Sequence, residues 1–506
     1  MPAKYDKPIP ALLLTDFYKT CHRAFYNPST TQLVSYWTPR KSRVDGIEKV
    51  VCFGLQALIK KYLIDHFAVT FFDRPWDEVR AEYVEYISAT FDRSIAEEEV
   101  DAFKAVHDLG YLPIEIRAVP EGTLVPIGCP MIEFRATEDW SYWVINYLET
   151  LNSCNLWMPM TAATIAYDNR LLVDRWYEKT VDDDVPRCSA AGDFSMRGMA
   201  GVDSAVMADA GHLLSFSSTA TIPTAWWLRN FYNAPLNVCK GTPSTEHSVM
   251  ESFGQEGERD AYEFIATKAR PNGVLSMVSD TWDLWKVLTE YLPSLKDKLM
   301  ERDGKVVIRP DSGNPADILC GTLRAGETPD GPVTPEMKGV IELLWDMAGG
   351  SINSKGYRVI DRHFGAIYGD AITHERAEEI FSRLAEKGFA ANNITLGFGS
   401  YTYQYVTRDT FGFALKVTHG IINEKETFMF KDPVTDRGAH SAGKKSQKGM
   451  CIVERNPNTG DIFYTDHHTM AEADVSRNLL RPVFKNGALL VDDDFELIRK
   501  RLHSDF

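Results

Sequence analysis

The chain has 506 residues, with 71 acidic and 55 basic side chains, so its formal net charge at neutral pH is −16. A protein this acidic is a poor candidate for non-specific binding to nucleic acid or to anionic membrane surfaces. Hydrophobic residues make up 44% of the sequence, which provides for a sizeable core and argues against global disorder. No uncharged apolar run has the length of a membrane span, and the eight cysteines form no C-x-x-C pair. We therefore expect a soluble cytoplasmic protein with reduced thiols.

The first 160 residues mix short strands with helical stretches. The segments "QLVSYW" (32–37) and "LPIEIRAVP" (112–120) are typical of strands, and "GLQALIKKYLIDHF" (54–67) is typical of a helix. After residue 400 the same mixture returns. Antiparallel strands are predicted in residues 412–433 and a basic loop in residues 437–450. We expect residues 1–160 and 400–506 to form one mixed α+β companion domain.

A strand, a polar junction and a helix recur between residues 161 and 399. Four apolar runs each end in a polar cluster: "GVLSMVSD" (273–280), "KVVIRPD" (305–311), "RVIDRHFGAIYGD" (358–370) and "NITLGFGS" (393–400). The segment "THERAEEIFSRLAEKG" (373–388) predicts a helix with a threonine cap and a glycine stop. Repeated β/α units predict a parallel sheet. The predicted fold class is therefore α/β, with an irregular β/α barrel in residues 161–399.

The polar clusters predict a site, because the active site of a β/α barrel lies at the carboxyl ends of its strands. Arg309 and Asp311 end one run, Asp280 ends another, and Gly369 and Asp370 end a third. Arginine binds phosphate through two parallel hydrogen bonds. Aspartate binds ribose hydroxyls or Mg²⁺. This combination favours a phosphorylated sugar substrate.

Each feature taken alone also has a simpler explanation. The stretch around Arg309 and Asp311 could be a charged turn, and Asp280 could be a helix cap. Gly399 and Ser400 close a G-x-G-S run whose backbone N–H groups suit a phosphate, but such a run is often only a tight turn. The polar junctions at the ends of these runs, which are all of the same kind, together favour the site.

Two further segments carry candidate residues. His247 lies in "PSTEHSVM", where a histidine is commonly just solvated. Phe194 lies in "GDFSMRG" and would ordinarily be a core residue. Arg197, three residues later, is difficult to place in a core without an anionic partner.

The chain resembles the nicotinamide phosphoribosyltransferases, within the type II phosphoribosyltransferase family, over nearly its full length. The segment "GFGSYTYQYVTRDTFG" is similar to the bacterial and phage branch. "IRPDSGNP" and the EHS segment, in this order and spacing, are highly specific. The motifs that carry the resemblance are "LLLTDFYKTCH" (12–22), "LPIEIRAVPEG" (112–122), "GDFSMRG" (192–198), "STEHSVM" (244–250), "VSDTWD" (278–283), "IRPDSGNP" (308–315), "YGDAI" (368–372), "TRDT" (407–410), "FKDPVTD" (430–436) and "FKNG" (484–487).

The resemblance implies a homodimer with shared active sites. The implied reaction joins nicotinamide to 5-phosphoribosyl-1-pyrophosphate with Mg²⁺, and ATP stimulates it by phosphorylating His247. Phe194 and Tyr18 of the other subunit would stack on the pyridine ring. Arg197 and Arg309 would reach the nicotinamide and pyrophosphate region, and Asp280 and Asp311 would serve the ribose and Mg²⁺–pyrophosphate. The remaining implied substrate ligands are Asp16, Arg40, Ser276, Gly369, Asp370, Gly399, Ser400, Arg408, Lys416 and Lys431.

One position departs from the family pattern. Residue 220 is alanine, where the animal family usually has an aspartate that accepts a hydrogen bond from the carboxamide of nicotinamide. A carboxylate there would also repel nicotinate, so Ala220 leaves nicotinate as an alternative substrate. A second alternative is a barrel that binds a nucleotide or a protein without turnover. The full set of Arg309, Asp311, Asp280 and His247 argues against that alternative.

Overall fold

The computed structural model describes residues 7–431 and 447–505. Most of the predicted basic loop, 437–450, and most of the FKDPVTD motif, 430–436, lie outside the described residues. Among the helices of the described residues, none is both long and apolar enough to cross a membrane.

The described residues contain strands throughout, numbered here in chain order. The strands are β1 (Thr30–Pro39), β2 (Lys49–Val51), β3 (Ile114–Ala118), β4 (Leu124–Pro126), β5 (Ile132–Ala136), β6 (Ala191–Asp193), β7 (Ser218–Thr219), β8 (Leu275–Val278), β9 (Val306–Arg309), β10 (Gly350–Ile352), β11 (Arg358–Ile360), β12 (Phe364–Tyr368), β13 (Ile394–Phe398), β14 (Phe413–Ile422), β15 (Lys425–Phe428), β16 (Met450–Arg455), β17 (Ile462–His468), β18 (Arg481–Lys485) and β19 (Ala488–Leu489).

Helices lie between these strands. The α-helices are α1 (His22–Phe25), α2 (Leu55–Leu58), α3 (Trp76–Ser88), α4 (Arg93–Leu109), α5 (Val144–Tyr147), α6 (Glu149–Thr180), α7 (Val202–His212), α8 (Ile222–Tyr232), α9 (His247–Glu251), α10 (Glu258–Phe264), α11 (Leu284–Lys286), α12 (Leu292–Met300), α13 (Pro315–Cys320), α14 (Pro335–Lys338), α15 (Val340–Ala348), α16 (His374–Glu386), α17 (Ser400–Tyr403), α18 (Met470–Ala473) and α19 (Phe495–Leu502). The predicted helix at 54–67 is α2 followed by a π-helical segment, Ile59–His66.

The chain forms two compact units. Unit 1 contains the residues up to Thr164, the segment Trp227–Ala234, and the residues from Thr407 onward. Unit 2 contains Ile165–Trp226 and Pro235–Val406. The domain boundaries at 160 and 400 stay a prediction, since a compact unit is defined by its contacts and a folding domain by independent stability.

Unit 1 is built on a seven-stranded sheet with the order β15-β14-β1-β5-β3-β18-β19. Its strand pairs are antiparallel, and β1 lies beside β14 with Trp37 opposite Leu415 and Pro39 opposite Phe413. The ring of Trp37 stacks on Phe413 with centroids 5.2 Å apart. These pairings confirm the predicted antiparallel strands and the mixed α+β character of this part of the chain.

Unit 2 is built on a six-stranded sheet with the order β7-β6-β13-β12-β9-β8. Every neighbouring pair in this sheet is parallel. Strands of a parallel sheet are covered on both faces, which explains why β8, β12 and most of β9 are apolar and buried. The α/β fold class predicted for this region is therefore confirmed, as a barrel-like parallel sheet with helices between its strands.

Two elements of unit 2 can be compared directly with their predictions from the sequence. Helix α16 begins after Thr373, whose hydroxyl accepts the N–H of Arg376 at 3.3 Å, and the turn ends at Gly388 with φ +76°, as predicted. The run 358–370 is not one strand, however. It divides into β11 and β12, because Asp361 forms a turn in which its carboxylate accepts the N–H of His363 at 3.0 Å.

Candidate active site

The carboxyl ends of the parallel strands in unit 2 bring half of the predicted site residues to one edge of the sheet. This follows from the topology, since parallel strands end on the same side. The residues placed there are Phe194 after β6, Ala220 after β7, Asp280 after β8, Arg309 and Asp311 at the end of β9, Gly369 and Asp370 after β12, and Gly399 and Ser400 after β13.

Asp280 and the turn after β9 are joined by hydrogen bonds. The Asp280 Oδ2 atom accepts the N–H of Asp311 at 2.8 Å and the hydroxyl of Ser312 at 2.6 Å. The Oδ1 atom of Asp280 is buried and accepts no hydrogen bond from the described residues. One oxygen therefore orients the turn, and the other is available to a ligand.

Three carboxylates lie around Tyr368, at the end of β12. Burial raises the pKa of the Tyr368 hydroxyl, and the charges of Asp370, Asp280 and Asp311 raise it further. This hydroxyl donates to the carbonyl oxygen of Gly313 at 3.0 Å. The acidic residues from three strand ends thus share one region of negative potential. Within the described residues, no group of three or more histidine, cysteine, aspartate or glutamate side chains is arranged to hold a metal ion.

Arg309 supplies a positive charge at the same edge. It is the last residue of β9, and its carbonyl oxygen accepts the N–H of Ser279 at 3.0 Å. The Nε atom of its guanidinium is buried and donates to no acceptor in the described part of the chain. A buried donor without an acceptor costs free energy, so this N–H is well placed to be satisfied by a bound anion.

His247 begins α9 and contacts the residues that follow β8 and β9. Its Nδ1 atom lies 3.1 Å from the hydroxyl of Thr281, and its Nε2 atom lies 3.9 Å from Asp311 Oδ2. Its side chain remains 42% exposed, so the ring is held on one side and accessible on the other.

Phe194 lies in a groove lined by glycines. A Cβ atom at Gly369 would lie 2.6 Å from Cδ2 and 3.0 Å from Cε2 of the Phe194 ring. A Cβ atom at Gly397 would lie 2.5 Å from Phe194 Cε2 and 2.7 Å from the Cα atom of Gly369. The N–H of Phe194 donates to the carbonyl oxygen of Phe398 at 2.8 Å. The ring can adopt this half-buried position only because both neighbours lack a side chain.

The remaining unit 2 candidates are Arg197, Ala220 and Ser276. Arg197 is exposed on the turn Met196–Gly198, and Gly198 packs directly against Ser400. Ala220 is exposed, and its N–H donates to the carbonyl oxygen of Asp193 at 2.9 Å. Ser276 lies inside β8, where its buried hydroxyl has no hydrogen-bond partner among the described residues.

The other predicted residues belong to unit 1 and form a second group. Asp16 accepts the hydroxyl of Thr150 at 2.7 Å, and Tyr18 is 58% exposed. The pKa of Tyr18 is raised by partial burial and by the charges of Glu149 and Asp16, whereas Arg408 lowers it. These effects place the Tyr18 hydroxyl close to both acidic and basic side chains.

Three cations of unit 1 lie close enough to repel one another. Arg40 follows β1 and donates from Nε to the carbonyl oxygen of Gly412 at 3.1 Å. Burial lowers the pKa of Arg40, and the neighbouring Arg408 lowers it further. The pKa of Lys416 is lowered by partial desolvation and by the charges of Arg40, Lys19 and Arg408. Such mutual repulsion is relieved when an anion binds among the cations. Lys431 is exposed at the edge of the described residues.

Several contacts were not foreseen from the sequence. The G-x-G-S run predicts a phosphate-binding turn, and that role stays a prediction, whereas the room that Gly369 and Gly397 leave for the Phe194 ring has no signal in the sequence. The hydrogen bond between the Thr281 hydroxyl and Nδ1 of His247 has no signal in the sequence. In unit 1, Lys19 pairs with Glu149 beside Tyr18, and the "LLLTDFYK" motif could have drawn attention to Lys19.

Comparisons with known proteins show which sequences this chain is similar to. Residues 190–488 match the model of the nicotinate phosphoribosyltransferase family, and residues 10–116 match a nicotinamide phosphoribosyltransferase N-terminal domain. A nicotinamide phosphoribosyltransferase of Acinetobacter baylyi is 38% identical over 500 residues, which cover 96% of each chain. Its counterpart from Xanthomonas campestris pv. campestris is 32% identical over 499 residues, which cover 98% of each chain.

Two solved structures share the fold. A nicotinate-nucleotide pyrophosphorylase from Pyrococcus furiosus superposes with a TM-score of 0.59 at 14% identity, covering 100% of this chain and 97% of the other. Human nicotinic acid phosphoribosyltransferase superposes with a TM-score of 0.56 at 16% identity, covering 97% and 93%. The family model covers more than half of the chain and near-full-length relatives agree with it, so the chain belongs to the nicotinate phosphoribosyltransferase family and is a phosphoribosyltransferase.

Proposed function

We propose that this enzyme is a nicotinamide phosphoribosyltransferase of NAD salvage. It would convert nicotinamide and 5-phosphoribosyl-1-pyrophosphate to nicotinamide mononucleotide and pyrophosphate. The observation that carries the proposal is the near-full-length similarity to relatives that bear this name, at 38% and 32% identity. The placement of the predicted residues at one edge of the parallel sheet supports it.

The pyridine ring would bind against Phe194. The ring of Phe194 is fixed by its two glycine neighbours and is only half-buried, so one face is accessible for stacking. Arg197 is exposed on the turn that follows Phe194 and would contact the base or a phosphate. Ala220 would line the same pocket with its methyl group, since its backbone N–H already donates to the carbonyl oxygen of Asp193.

The chemistry would need positioning and charge stabilisation, without a general base. The pyridine nitrogen carries its own lone pair and attacks C1 of the ribose. The bond from C1 to the pyrophosphate oxygen breaks, and its electron pair leaves with the pyrophosphate. Arg309 would stabilise that leaving group through the buried Nε–H that finds no acceptor in the described residues.

Mg²⁺ is the expected cofactor, and the residues fit it in part. The buried Oδ1 atom of Asp280 accepts no hydrogen bond in the described residues. Asp311 lies next to Asp280, because its backbone N–H donates to Asp280 Oδ2. Since the described side chains do not complete a metal site, the pyrophosphate and water would provide the other oxygen ligands. When bound, Mg²⁺ would neutralise charge on the pyrophosphate.

ATP stimulation through a phosphohistidine at His247 is a further part of the proposal. It is supported by the position of the ring between Thr281 and Asp311, with one side accessible to solvent. The Thr281 contact at Nδ1 leaves Nε2 as the nitrogen that would accept a phosphoryl group. A phosphate there would add about two negative charges next to the acidic strand ends and change how Mg²⁺ and substrate bind.

The proposal includes a cytoplasmic homodimer in which Tyr18, Asp16, Arg40, Arg408, Lys416 and Lys431 of one copy serve the site of the other. A mixed dimer tests this. Arg309→Ala and Tyr18→Ala are each expected to abolish activity, but a dimer with one copy of each contains one native site. Random mixing of equal amounts should restore about a quarter of the wild-type activity if sites are shared, because half of the dimers are mixed and half of their sites are native. No restoration in verified mixed dimers would contradict shared sites.

The overall reaction is tested directly with the purified full-length protein, phosphoribosyl pyrophosphate, nicotinamide and Mg²⁺. The proposal predicts nicotinamide mononucleotide and pyrophosphate in equal amounts, measured by chromatography and by a coupled phosphate assay. Absence of pyrophosphate with both nicotinamide and nicotinate would overturn the proposal.

A further inference from the structure

The exposed ring of Tyr18 contacts two side chains of its own segment. Tyr18 is 58% exposed. The ammonium group of Lys19 lies over the ring, 5.4 Å from its centroid. The imidazole of His22 meets the ring edge-on, with the two centroids 5.2 Å apart. These two contacts limit the orientations that an exposed tyrosine ring would otherwise sample.

Lys19 is itself buried and bound on both sides of the junction between α5 and α6. It is 5% exposed, and its Nζ atom donates to Oδ1 of Asn146 at 2.8 Å and forms an ion pair with Glu149. Asn146 lies on α5, and Glu149 is the first residue of α6. Lysine is almost never buried unless it is paired, so this ion pair determines where the ammonium group lies.

The same asparagine also binds His22. Lysine has only donors, so the oxygen of the Asn146 amide must face Lys19. The nitrogen of the amide therefore faces His22, and its Nδ2 atom donates to Nδ1 of the imidazole at 2.8 Å. His22 is thus neutral, with its proton on Nε2. Both side chains that contact Tyr18 are bound to one amide group.

Other hydrogen bonds attach the backbone of this segment to α5 and α6. The hydroxyl of Thr15 donates to the carbonyl oxygen of Tyr147 at 2.8 Å, and the Tyr147 hydroxyl donates to the carbonyl oxygen of Leu12 at 2.5 Å. The hydroxyl of Thr150 donates to Asp16 at 2.7 Å. Because these bonds do not involve the lysine, its replacement should release the neighbouring side chains without detaching the segment.

We infer that Lys19 is a positioning residue for base binding, which orients the Tyr18 ring directly and, through Asn146, by way of His22. This inference rests on the proposed function, in which Tyr18 of one copy stacks on the pyridine ring in the site of the other. Lys19 makes no contact with the base in this role. It fixes the ring before the base arrives, so that binding does not have to order it.

The charge of Glu149 determines how the inference must be tested. Glu149 raises the pKa of Lys416, whereas Arg40, Lys19 and Arg408 lower it, so the carboxylate acts on the cations assigned to phosphate as well. Removing Lys19 alone would leave a buried carboxylate without its partner, which is strongly destabilising and would disturb those cations. A double replacement that removes both charges avoids this effect.

The test compares Lys19→Met/Glu149→Gln with wild type. Methionine fills the space of the lysine stem but donates no hydrogen bond, and the net charge of the region is unchanged. We expect KM for nicotinamide to rise about fivefold to tenfold, as for the loss of one aromatic stack, and KM for phosphoribosyl pyrophosphate to change less than about twofold. An unchanged KM for nicotinamide, or equal changes in both KM values, would overturn the positioning role.

The protonation of His22 gives a readout that does not depend on the substrate. Nitrogen-15 NMR of the imidazoles, assigned with His22→Gln, should show the Nε2–H form alone in wild type at alkaline pH. In Lys19→Met/Glu149→Gln the Asn146 amide is free to turn over and accept from Nδ1–H, so both tautomers should appear. The Nε2–H form alone in both proteins would contradict the hydrogen-bond network. If the tautomers change as expected but wild type transfers to neither base, the proposed function is wrong while the network stands.

Lys60 provides a matched control in unit 1. Its Nζ atom also binds one carboxylate and one neutral oxygen, Asp492 Oδ1 at 2.6 Å and the carbonyl oxygen of Phe231 at 3.0 Å. Lys60→Met/Asp492→Asn should leave both KM values and the His22 tautomer as in wild type. If the control raises KM for nicotinamide as much as the Lys19 double variant does, general loosening of the fold explains the effect and the positioning role of Lys19 is wrong.

Discussion

Replacing Gly369 with alanine should weaken base binding by displacing the Phe194 ring. The added methyl would lie 2.6 Å from Cδ2 and 3.0 Å from Cε2 of that ring, and these are the two atoms nearest to it outside the neighbouring residues of the chain. Carbon atoms pack at about 3.5–4.0 Å, so the ring must retreat by about 1 Å. The backbone at Gly369 does not have the positive φ that would itself disfavour alanine.

The expected loss follows from the displaced ring. An aromatic stack contributes about 0.5–1.5 kcal/mol, and a 1 Å misplacement of a positioning group can cost about a hundredfold in rate. We therefore expect kcat/KM for nicotinamide to fall about tenfold to a hundredfold, which corresponds to about 1.4–2.7 kcal/mol. The measurement is steady-state kinetics with each substrate varied in turn. Gly331→Ala is the matched control, since a Cβ atom there meets nothing within 4 Å.

A double-mutant cycle decides between two roles of Gly369. If the methyl acts by displacing the ring, Gly369→Ala should cost less than threefold in a Phe194→Ala background. The family resemblance implies a different role, in which Gly369 helps to hold the ribose and the 5′-phosphate. That role predicts a higher KM for phosphoribosyl pyrophosphate in both backgrounds, and this result would refute the steric explanation.

Four further substitutions test other parts of the site. Arg309→Ala should lower kcat at least a hundredfold, about 3–4 kcal/mol, with little change in melting temperature; a sharp fall in melting temperature at unchanged specific activity would make Arg309 structural. Asp280→Asn should raise the Mg²⁺ concentration needed for half-maximal rate, measured by metal titration, whereas an unchanged titration would exclude Asp280 from the metal's surroundings. His247→Ala should abolish ATP hydrolysis and keep slow nucleotide synthesis without ATP; hydrolysis at the wild-type rate would rule out a phosphohistidine there. Arg408→Ala should raise KM for phosphoribosyl pyrophosphate about tenfold and leave KM for nicotinamide unchanged, while the opposite pattern would contradict a phosphate role.

The strands that carry the site were predictable where they are long and apolar. β8, β9 and β13 are buried on both faces, so their sequences are continuous hydrophobic runs that end abruptly in Asp280, Arg309 and Gly399. β6 and β7 were not predicted. They are three and two residues long, respectively, and consist of short side chains such as those of Ala191 and Ser218, which give no hydrophobic pattern.

The contacts around Phe194 could not be predicted because they depend on residues far apart in sequence. Gly369 and Gly397 approach the ring only when β6, β13 and β12 lie side by side. The charged residues at the strand ends were easier to predict, because a polar cluster that directly follows an apolar run can be recognised in the sequence itself.

The central claim is that the enzyme transfers the phosphoribosyl group to nicotinamide. The most direct measurement is kcat/KM for nicotinamide and for nicotinate with the same purified protein, at saturating phosphoribosyl pyrophosphate and Mg²⁺. We expect a clear preference for nicotinamide, by tenfold or more, although Ala220 provides no carboxylate to repel nicotinate. A higher kcat/KM for nicotinate would contradict the claim and would show that, with alanine at position 220, the pocket prefers the anionic base.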